Sequence, residues 1–389
     1  MTKVLVIGNG FDLYHKLPTR YTDFLLFVNH WEDFKKKYAD ASIEVDDADM
    51  LDISRTEYGA LNEKSIEDFA KYKHAYCIEN IEKFDKAYLN KWVIYFNEVL
   101  EKTSIGKNWI DFEQEIMNAL LYVQGYFDIL PKIAGTNQVI NNVTPVGMHR
   151  VLRIFTDKSP LSYTPNIGII HRSDLNDINE KKQELLAFMK DELDKLNICL
   201  NIYLLEFVSR IDCNMYSEQI KDLNDINLLN FNYTYTYKKV YGGNKLRNNH
   251  AIHGDIQENN LVLGIPDEAF CDTTEYIYFK KYFQRIQKRT GSFYREWITK
   301  PKYPTLGDVP PEVFIMGHSL AETDRGVLKD IFNNEYVHKI TIFYHSQSAY
   351  EDMIINLVKV FGQDFIIENT ANNRIIFEEL KAPVNGKIR

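Results

Sequence analysis

The sequence predicts an α/β protein with a mainly parallel sheet and a large all-helical insertion. An apolar, partly β-branched run from Lys3 to Ile7 stops at Gly8, as a buried parallel strand does where it enters a tight turn. In the second half of the chain, short apolar runs alternate with segments of helical periodicity, which is typical of a parallel sheet covered by helices on both faces. A long stretch of helical periodicity lies between these two parts and predicts the insertion.

The composition is that of an ordinary globular protein. Of its 389 residues, 45% are hydrophobic and 26% are charged, which excludes disordered and collagen-like chains. The 46 basic and 55 acidic side chains give a net charge of −9. No overall positive field attracts a nucleic-acid backbone, so we expect no general nucleic-acid binding.

Cysteine usage and hydropathy predict a cytoplasmic location. The four cysteines are far apart and form no C-x-x-C pair, so we expect neither a zinc knuckle nor a disulfide framework. The N-terminal apolar run has the wrong length and shape for a signal peptide, and no run of 18 or more apolar residues occurs. We therefore expect a cytoplasmic protein that does not span a membrane.

Residues 1–56 are assigned to the first part of the α/β domain. The strand Lys3 to Ile7 leads through a glycine turn towards a helix from Tyr21 to Lys37, where large apolar side chains recur at helical spacing. Residues 57–215 are assigned to the helical insertion. Three blocks of helical periodicity predict its helices: Glu57 to Lys102, Trp109 to Val123 and Asp177 to Arg210.

Residues 216–389 are assigned to the remainder of the α/β domain. Short apolar runs there predict seven strands, and three segments between them predict helices. The strands are Ile226 to Phe231, Ala251 to His253, Leu261 to Ile265, Glu312 to Met316, Lys339 to Tyr344, Phe365 to Glu368 and Ile375 to Phe377. The helices are Tyr276 to Arg289, Asp324 to Phe332 and Gln347 to Phe361.

The glycine turn after the first strand is the first candidate site, because ligands of open parallel sheets bind beyond the carboxyl ends of the strands. Glycines let the backbone approach a phosphate, and a helix start offers N–H groups. The turn is half of a dinucleotide fingerprint, since Leu13 stands where the third glycine of G-x-G-x-x-G is expected. Nucleotide binding and an ordinary tight turn both remain open for Gly8, Asn9, Gly10, Phe11 and Asp12.

Two further loops follow predicted strands. The amide of Asn232 both donates and accepts, so it suits a water or a ribose hydroxyl; an Asx turn that caps the next helix is the alternative. His253 precedes Gly254 at a strand end, where an imidazole with an ordinary pKa near 6.5 suits a general base. A structural histidine is the alternative.

The last candidate loop closes the strand that ends at Met316. Gly317, Ser319 and Asp324 are placed to bind ribose or phosphate there, or Asp324 simply favours the start of a helix. The loop also imitates the nucleophile elbow G-x-S-x-G, with a triad of Ser319, Asp330 and His345 as a weaker alternative. Metal catalysis is not indicated, because the histidines form no H-E-x-x-H motif and no cluster with cysteines.

The order of these loops resembles the AbiH family of bacterial phage abortive-infection proteins. The motifs that carry the resemblance are G-N-G-F-D-L with L-P-T-x-Y, W-I-D-F-E, N-F-N-Y-T, I-H-G with L-V-L-G-I, and G-H-S-L with an aspartate. They run from Val4 to Asp324 and so span nearly the whole chain. The same order is similar to a divergent sirtuin-like domain, which implies a Rossmann-like (sirtuin-like) sheet.

The resemblance also implies roles for individual residues. Gly8 and Gly10 would contact dinucleotide phosphates, Asn232 would order the attacking water or the nicotinamide ribose, and His253 would be the general base. Ser319 and Asp324 would approach the adenosine end. Asp12 replaces the small or hydroxyl residue usual in sirtuins and the zinc-binding cysteines are missing, so the resemblance points to NAD cleavage in phage defence and away from protein deacetylation.

The function predicted from this resemblance is that of an anti-phage effector. It would bind NAD, as ligand or substrate, and break the ribose–nicotinamide bond through an oxocarbenium-like state. The helical insertion would serve as a lid, a homo-oligomer surface or a sensor of a phage-derived trigger. A non-catalytic module that senses nucleotides or binds a partner is the alternative, and a nuclease is disfavoured by the acidic chain.

Overall fold

The computed structural model describes residues 2–45, 50–102, 110–134, 136, 145–156, 177–302 and 309–388. The strands are β1 (Lys3–Ile7), β2 (Ile43–Glu44), β3 (Tyr72–Lys73), β4 (Met215–Tyr216), β5 (Ile226–Asn230), β6 (Leu246–Ala251), β7 (Glu312–Met316), β8 (Lys339–Tyr344), β9 (Ile375–Glu379) and β10 (Val384–Asn385). The helices are α1 (Asn9–Tyr14), α2 (Tyr21–Asn29), α3 (Trp31–Ala39), α4 (Glu63–Ala70), α5 (Ile78–Ala87), α6 (Lys91–Lys102), α7 (Phe112–Ile133), α8 (Val146–Thr156), α9 (Ile178–Ile202), α10 (Thr236–Tyr241), α11 (Lys281–Gln287), α12 (Tyr294–Ile298), α13 (Arg325–Phe332), α14 (Gln347–Phe361) and α15 (Gln363–Ala371).

A six-stranded sheet in the order β6-β5-β1-β7-β8-β9 organises the α/β part. Each strand in it pairs with its neighbours in parallel, which confirms the predicted α/β class. In the central register, Ile7 lies opposite Asn230 on one side and Met316 on the other. The carboxyl ends of β1, β5 and β7 are therefore level, and the loops that follow them meet at one edge.

The central strand is buried because both of its faces pack against apolar side chains. Val4 and Val6 belong to one hydrophobic cluster, whereas Leu5 and Ile7 belong to another that contains Phe11. This alternation follows from the two-residue period of a strand. It explains why β1 is an unbroken apolar run, as buried parallel strands are.

The chain divides into two compact units. One consists of residues 1–78, 201–262 and 285–389 and contains the six-stranded sheet; the other consists of residues 79–200 and 263–284. The sheet-containing unit thus includes 57–78 and 201–215, which were assigned to the insertion, and the second unit includes 263–284, which was not. Whether the predicted insertion 57–215 has a separate role stays a prediction.

The second unit packs around aromatic side chains on its helices. Phe96 and Phe112 stack with ring centroids 4.0 Å apart, and Trp92 packs against Phe155 at 4.7 Å. The Trp92 indole N–H donates to the Met189 carbonyl at 2.9 Å. These aromatic side chains form helical core, which is the usual role of aromatic residues that recur at helical spacing.

Two predicted strands are wrong. Phe365 to Glu368 lies within α15, which begins after Gly362, a glycine with a φ of +85°. Leu261 to Ile265 is buried but irregular, since Val262 N–H donates to the His253 carbonyl and no ladder follows. Short apolar runs have no period long enough to separate a strand from a helix or a buried loop.

Several element bounds also differ from the predicted ones. The predicted helix Tyr21 to Lys37 is two helices, α2 and α3, which meet at His30. The His30 ring Nδ1 lies 2.9 Å from the Leu26 carbonyl at the end of α2. The strand predicted at Ala251 to His253 lies nearer the N-terminus in the structure, where β6 runs from Leu246 to Ala251. Trp109 and most of the stretch between Pro131 and Pro165 lie outside the described residues.

Candidate functional site

The glycine turn after β1 packs directly on the loop after β7. Gly10 N–H donates to the Gly317 carbonyl at 2.8 Å. A Cβ at Gly10 would lie 2.9 Å from the Gly317 Cα, and a Cβ at Gly317, whose φ is +69°, would lie 2.0 Å from the Phe11 nitrogen. These glycines are required because two backbones touch here.

Three amides at the start of α1 are engaged within the protein. Gly8 N–H donates to the Met316 carbonyl at 3.3 Å, Gly10 N–H to Gly317, and Phe11 N–H to the Gly8 carbonyl at 2.8 Å. The Phe11 ring is buried in the core. A phosphate here would need other donors, and Asn9 is the exposed residue of the turn.

Asp12 is a buried carboxyl group among hydroxyls. Its side chain is 1% exposed, and Thr234 Oγ1 donates to its Oδ2 at 2.6 Å. Burial raises the pKa of Asp12 to about 6, although Thr234, Thr236, Asn232 and the charge of Lys239 oppose the rise. An acid of this kind exchanges a proton close to neutral pH, a property that clusters at functional sites.

The asparagine loop after β5 holds itself and the glycine turn in place. Asn230 Oδ1 accepts from the Asn232 N–H at 2.9 Å, and Asn230 Nδ2 donates to the Thr234 carbonyl at 3.0 Å. Asn232 Nδ2 donates to the Gly8 carbonyl at 3.0 Å. The Asx turn in this loop is made by the side chain of Asn230, whereas the Asn232 amide joins the β5 and β1 loops.

A cavity of about 210 Å³ lies beside this loop. Its lining comes from β5, α10 and the edge strand β6, and includes Asn230, Thr234 and Tyr237. The Tyr237 hydroxyl is buried without a hydrogen-bond partner among the described residues. The residue that holds Asp12, Thr234, therefore also borders this cavity.

The predicted base His253 meets Asp324, which was predicted to bind the adenosine end of the ligand, across 71 residues of sequence. His253 Nε2 lies 3.0 Å from Asp324 Oδ1, and the two side chains are 6% and 11% exposed. Asp324 ends a short 3-10 turn immediately before α13. The structure thus brings together two residues that sequence reasoning assigned to separate loops.

The conformation at His253 depends on the glycine that follows it. Gly254 has a φ of +84°, and a Cβ there would lie 2.2 Å from the Asn260 carbonyl oxygen. The His253 carbonyl accepts from the Val262 N–H at 2.7 Å. Gly254 is therefore part of the support of His253.

His318 is a member of this cluster that sequence reasoning missed. Its Nε2 lies 3.4 Å from Asp324 Oδ2, and its side chain is 3% exposed. The Phe231 ring packs edge-on against His318, with centroids 4.2 Å apart, and against His253 at 5.4 Å. The sequence could have indicated His318 by its position, because it lies in the loop after a central strand, between the candidate residues Gly317 and Ser319.

Ser319 does not have the surroundings of a buried nucleophile. It is exposed, and its carbonyl accepts from Asn356 Nδ2 at 3.0 Å. Asp330, the acid of the alternative triad, accepts from the Tyr294 hydroxyl and from Arg295 Nε. The Ser319–Asp330–His345 reading gains no support from these contacts.

The acidic residues of W-I-D-F-E have structural partners in the second unit. Asp111 caps α7 by accepting from the N–H groups of Glu113 and Gln114. Glu113 Oε2 forms an ion pair at 2.8 Å with Lys281, whose side chain is 1% exposed. A cation at this depth needs such a partner.

The part of the chain that the structure describes holds neither a metal-binding cluster nor a helix that could span a membrane. Within those residues, no group of three or more histidine, cysteine or acidic side chains could hold a metal ion. No helix in the same residues has the length and apolar character needed to cross a bilayer.

Six parallel strands, with polar loops and a histidine–aspartate pair at their carboxyl ends, define an α/β protein with a candidate ligand site at the edge of its sheet. The family model described as "Bacteriophage abortive infection AbiH" matches residues 4–346, and the chain belongs to this family. This confirms the predicted family and its place in phage abortive-infection defence. Neither a curated protein nor a solved structure matches the chain significantly.

Proposed function

We propose that this protein is an abortive-infection effector that binds NAD or a related nucleotide and cleaves the ribose–nicotinamide bond. The observation that carries the proposal is the His253–Asp324 pair, which lies at the carboxyl ends of the central strands. Family membership supplies the biological setting. The geometry of the pair supports the chemistry.

The topology supports a dinucleotide as the ligand. Counted along the chain, the six strands lie in the order 3-2-1-4-5-6, which is the order of the doubly wound dinucleotide-binding fold. The order reverses between β1 and β7, and such a fold binds its ligand at this switch point. The Gly8 and Gly317 loops meet there. A Rossmann-like, sirtuin-like domain is therefore part of the proposal.

His253 would act as general base towards a ribose hydroxyl or water. If its Nε2–H donates to the Asp324 carboxylate, Nδ1 is the basic nitrogen. The carboxylate then stabilises the imidazolium that forms when the proton arrives. Breakage of the glycosidic bond develops positive charge on the ribose, and positioned polar groups stabilise it.

The remaining predicted residues keep their proposed roles around this pair. Asn232 would order the attacking water or the nicotinamide ribose while its Nδ2 holds the Gly8 carbonyl. The proposed ligand-binding residues are Gly8, Asn9, Gly10, Phe11, Asp12, Gly254, Gly317, Ser319 and Asp324. For Phe11 and the glycines, the contacts described above support a role in shaping the turn.

A second function, nucleotide sensing without turnover, is favoured by the burial of the site. His253 is 6% exposed on its side chain, and three amides of the glycine turn already have partners. A ligand would reach His253 only after a local rearrangement. A phage-derived trigger that opens the site would reconcile the two functions.

The test is release of nicotinamide from NAD by the purified protein, alone and with lysate of phage-infected cells. His253→Ala is compared with His250→Ala, which removes another buried histidine that packs on Phe293 and Tyr294. Release that needs His253 and tolerates loss of His250 supports the effector. NAD binding without release under either condition supports the sensor, and absence of both overturns NAD as the ligand.

A further inference from the structure

The loop Gly317 to Leu320 contains two residues with a left-handed backbone, and for one of them, Leu320, this conformation is unfavourable. Gly317 has a φ of +69° and Leu320 a φ of +57°. Glycine adopts this left-handed region readily, but a leucine is strained there. Leu320 is fully buried in the core, so packing holds the strained residue. Backbone strain of this kind concentrates where a side chain has to be held for function.

The strained loop determines which nitrogen of His318 carries the proton. The Leu320 N–H donates to His318 Nδ1 at 2.9 Å. An amide can only donate, so Nδ1 is the acceptor and the proton of the neutral ring resides on Nε2. This nitrogen lies 3.4 Å from Asp324 Oδ2. A neutral His318 ring in this tautomer carries its N–H on the nitrogen that faces Asp324, at a distance longer than an ordinary hydrogen bond.

Each oxygen of Asp324 has a histidine nitrogen close to it. Oδ1 lies 3.0 Å from His253 Nε2, and Oδ2 faces His318. Two contacts in different directions define the plane of a carboxylate, whereas one contact leaves it free to rotate. The orientation of this plane determines how well Oδ1 can accept from His253.

We propose that His318 is a positioning residue that acts on His253 through Asp324. Its Nε2–H holds the carboxylate, the carboxylate holds His253 as the Nε2–H tautomer, and Nδ1 of His253 is left as the base. The consequence for catalysis rests on the proposed function. The tautomers of the two histidines are a property of the cluster alone.

The first experiment reads the tautomers directly, by ¹⁵N NMR of the histidine-labelled protein at a pH above the ordinary histidine pKa. We expect the Nε2–H tautomer for both His253 and His318. In His318→Leu, the His253 signals should shift towards a mixture of tautomers, whereas His250→Ala should leave them unchanged. A wild-type His318 with its proton on Nδ1, or a His253 unaffected by His318→Leu, overturns the proposal.

The second experiment separates orientation from folding. His318→Gln places an amide N–H₂ near the position of Nε2, while His318→Leu has no donor. We expect kcat for nicotinamide release to fall about tenfold in the leucine variant, with KM little changed and partial rescue by glutamine, because a misoriented base loses part of its contribution. Equal kcat in wild type and His318→Leu contradicts the proposal.

The two readouts also distinguish the proposal from the function on which it rests. If wild-type protein releases no nicotinamide, the NAD-cleaving function fails, and the NMR experiment still decides whether His318 orients Asp324 and His253. If the leucine variant does not fold, the wild-type spectra and the glutamine variant decide it. In the glutamine variant, we expect His253 to retain the Nε2–H tautomer, and its loss there counts against the proposal.

Discussion

Asp12, which is buried, and Asp324, whose side chain is 11% exposed, follow neighbouring strands of the same sheet and have opposite surroundings. Asp324, after β7, faces imidazole nitrogens of His253 and His318 at 3.0 and 3.4 Å. Asp12, after β1, accepts a hydroxyl hydrogen bond from Thr234 and lies among Thr236 and Asn232. The imidazoles beside Asp324 can take up a proton, whereas the hydroxyl and amide groups described around Asp12 are neutral.

This difference separates the tasks of which each carboxyl group is capable. A carboxylate between two N–H donors orients histidines and stabilises an imidazolium. A carboxyl group that burial brings to a pKa of about 6 is itself partly protonated near neutral pH. In our proposal Asp324 orients the histidines, whereas Asp12 is the carboxyl group whose protonation changes near pH 6. Substitutions at the two positions should therefore give different signatures.

The largest effect is expected for Asp324→Asn. The amide keeps the shape of the side chain but presents an N–H₂ group to one histidine, which disturbs the tautomer of His253. We expect kcat for nicotinamide release to fall by about 10²- to 10⁴-fold, since loss of the orienting acid in a histidine–aspartate pair has effects of this order.

The matched control for Asp324→Asn is Asp330→Asn on the neighbouring α13. Asp330 bonds to Tyr294 and Arg295 and not to the histidines, so its kcat should stay within about twofold of wild type. Equal losses of kcat in Asp324→Asn and Asp330→Asn would contradict a specific role of Asp324 in orienting His253.

The second effect is the pH dependence of stability in Asp12→Asn. In the folded protein the pKa of Asp12 is raised from 3.8 to about 6, so the native state binds the proton more tightly than the unfolded chain. Stability from this group is present below about pH 4 and is lost as the pH rises to about 6, by up to about 3 kcal/mol. Asparagine has no such loss.

Urea denaturation of wild type and Asp12→Asn at several pH values measures this effect. The stability of the variant relative to wild type should rise by about 3 kcal/mol or less between pH 4 and 7. His15, whose burial lowers its pKa to about 4, makes the folded protein less stable as the pH falls. That contribution cancels in the difference. A relative stability that does not change with pH would show that Asp12 has an ordinary pKa.

A smaller effect is expected for Thr234→Val, which has nearly the same shape and lacks the hydroxyl. Its loss should destabilise the protein by about 1 to 2 kcal/mol at neutral pH, since the hydroxyl donates to Asp12. The same denaturation series measures it. The loss of stability should be smaller near pH 4, where Asp12 holds its own proton. An equal loss at both pH values would show that the hydrogen bond from Thr234 does not depend on the protonation of Asp12.

The smallest effect is expected for Ser319→Ala. The side chain is exposed and its residue contacts Asn356 through the carbonyl, which alanine retains. Ser319 is proposed to lie at the adenosine end of the ligand, so its loss should raise KM for NAD slightly and leave kcat for nicotinamide release close to wild type. Thermal stability should also stay close to wild type, because exposed substitutions away from special contacts change stability by about 0.5 kcal/mol or less. Abolished activity would favour the alternative in which Ser319 is a nucleophile, and it would count against His253 and Asp324 as the catalytic pair.

Sequence reasoning predicted the central strands well and the peripheral elements less well. β1, β7 and β8 have the predicted bounds, because buried parallel strands are continuous apolar runs that end at turn residues. Phe365 to Glu368 failed, because four residues do not distinguish a helix from a strand. The site residues His253 and Asp324 were selected separately, since both follow strand ends, but their contact was not predicted.

By itself, the sequence determined the α/β class, the central strands and the loops in which polar residues follow them, since these depend on local periodicity and turn chemistry. The tertiary structure alone decided what those residues contact. Gly10 meets Gly317, Asn232 meets Gly8, and Asp324 meets His253. Partners so far apart in the chain are selected by the order and register of parallel strands, and no local pattern of residues encodes that choice.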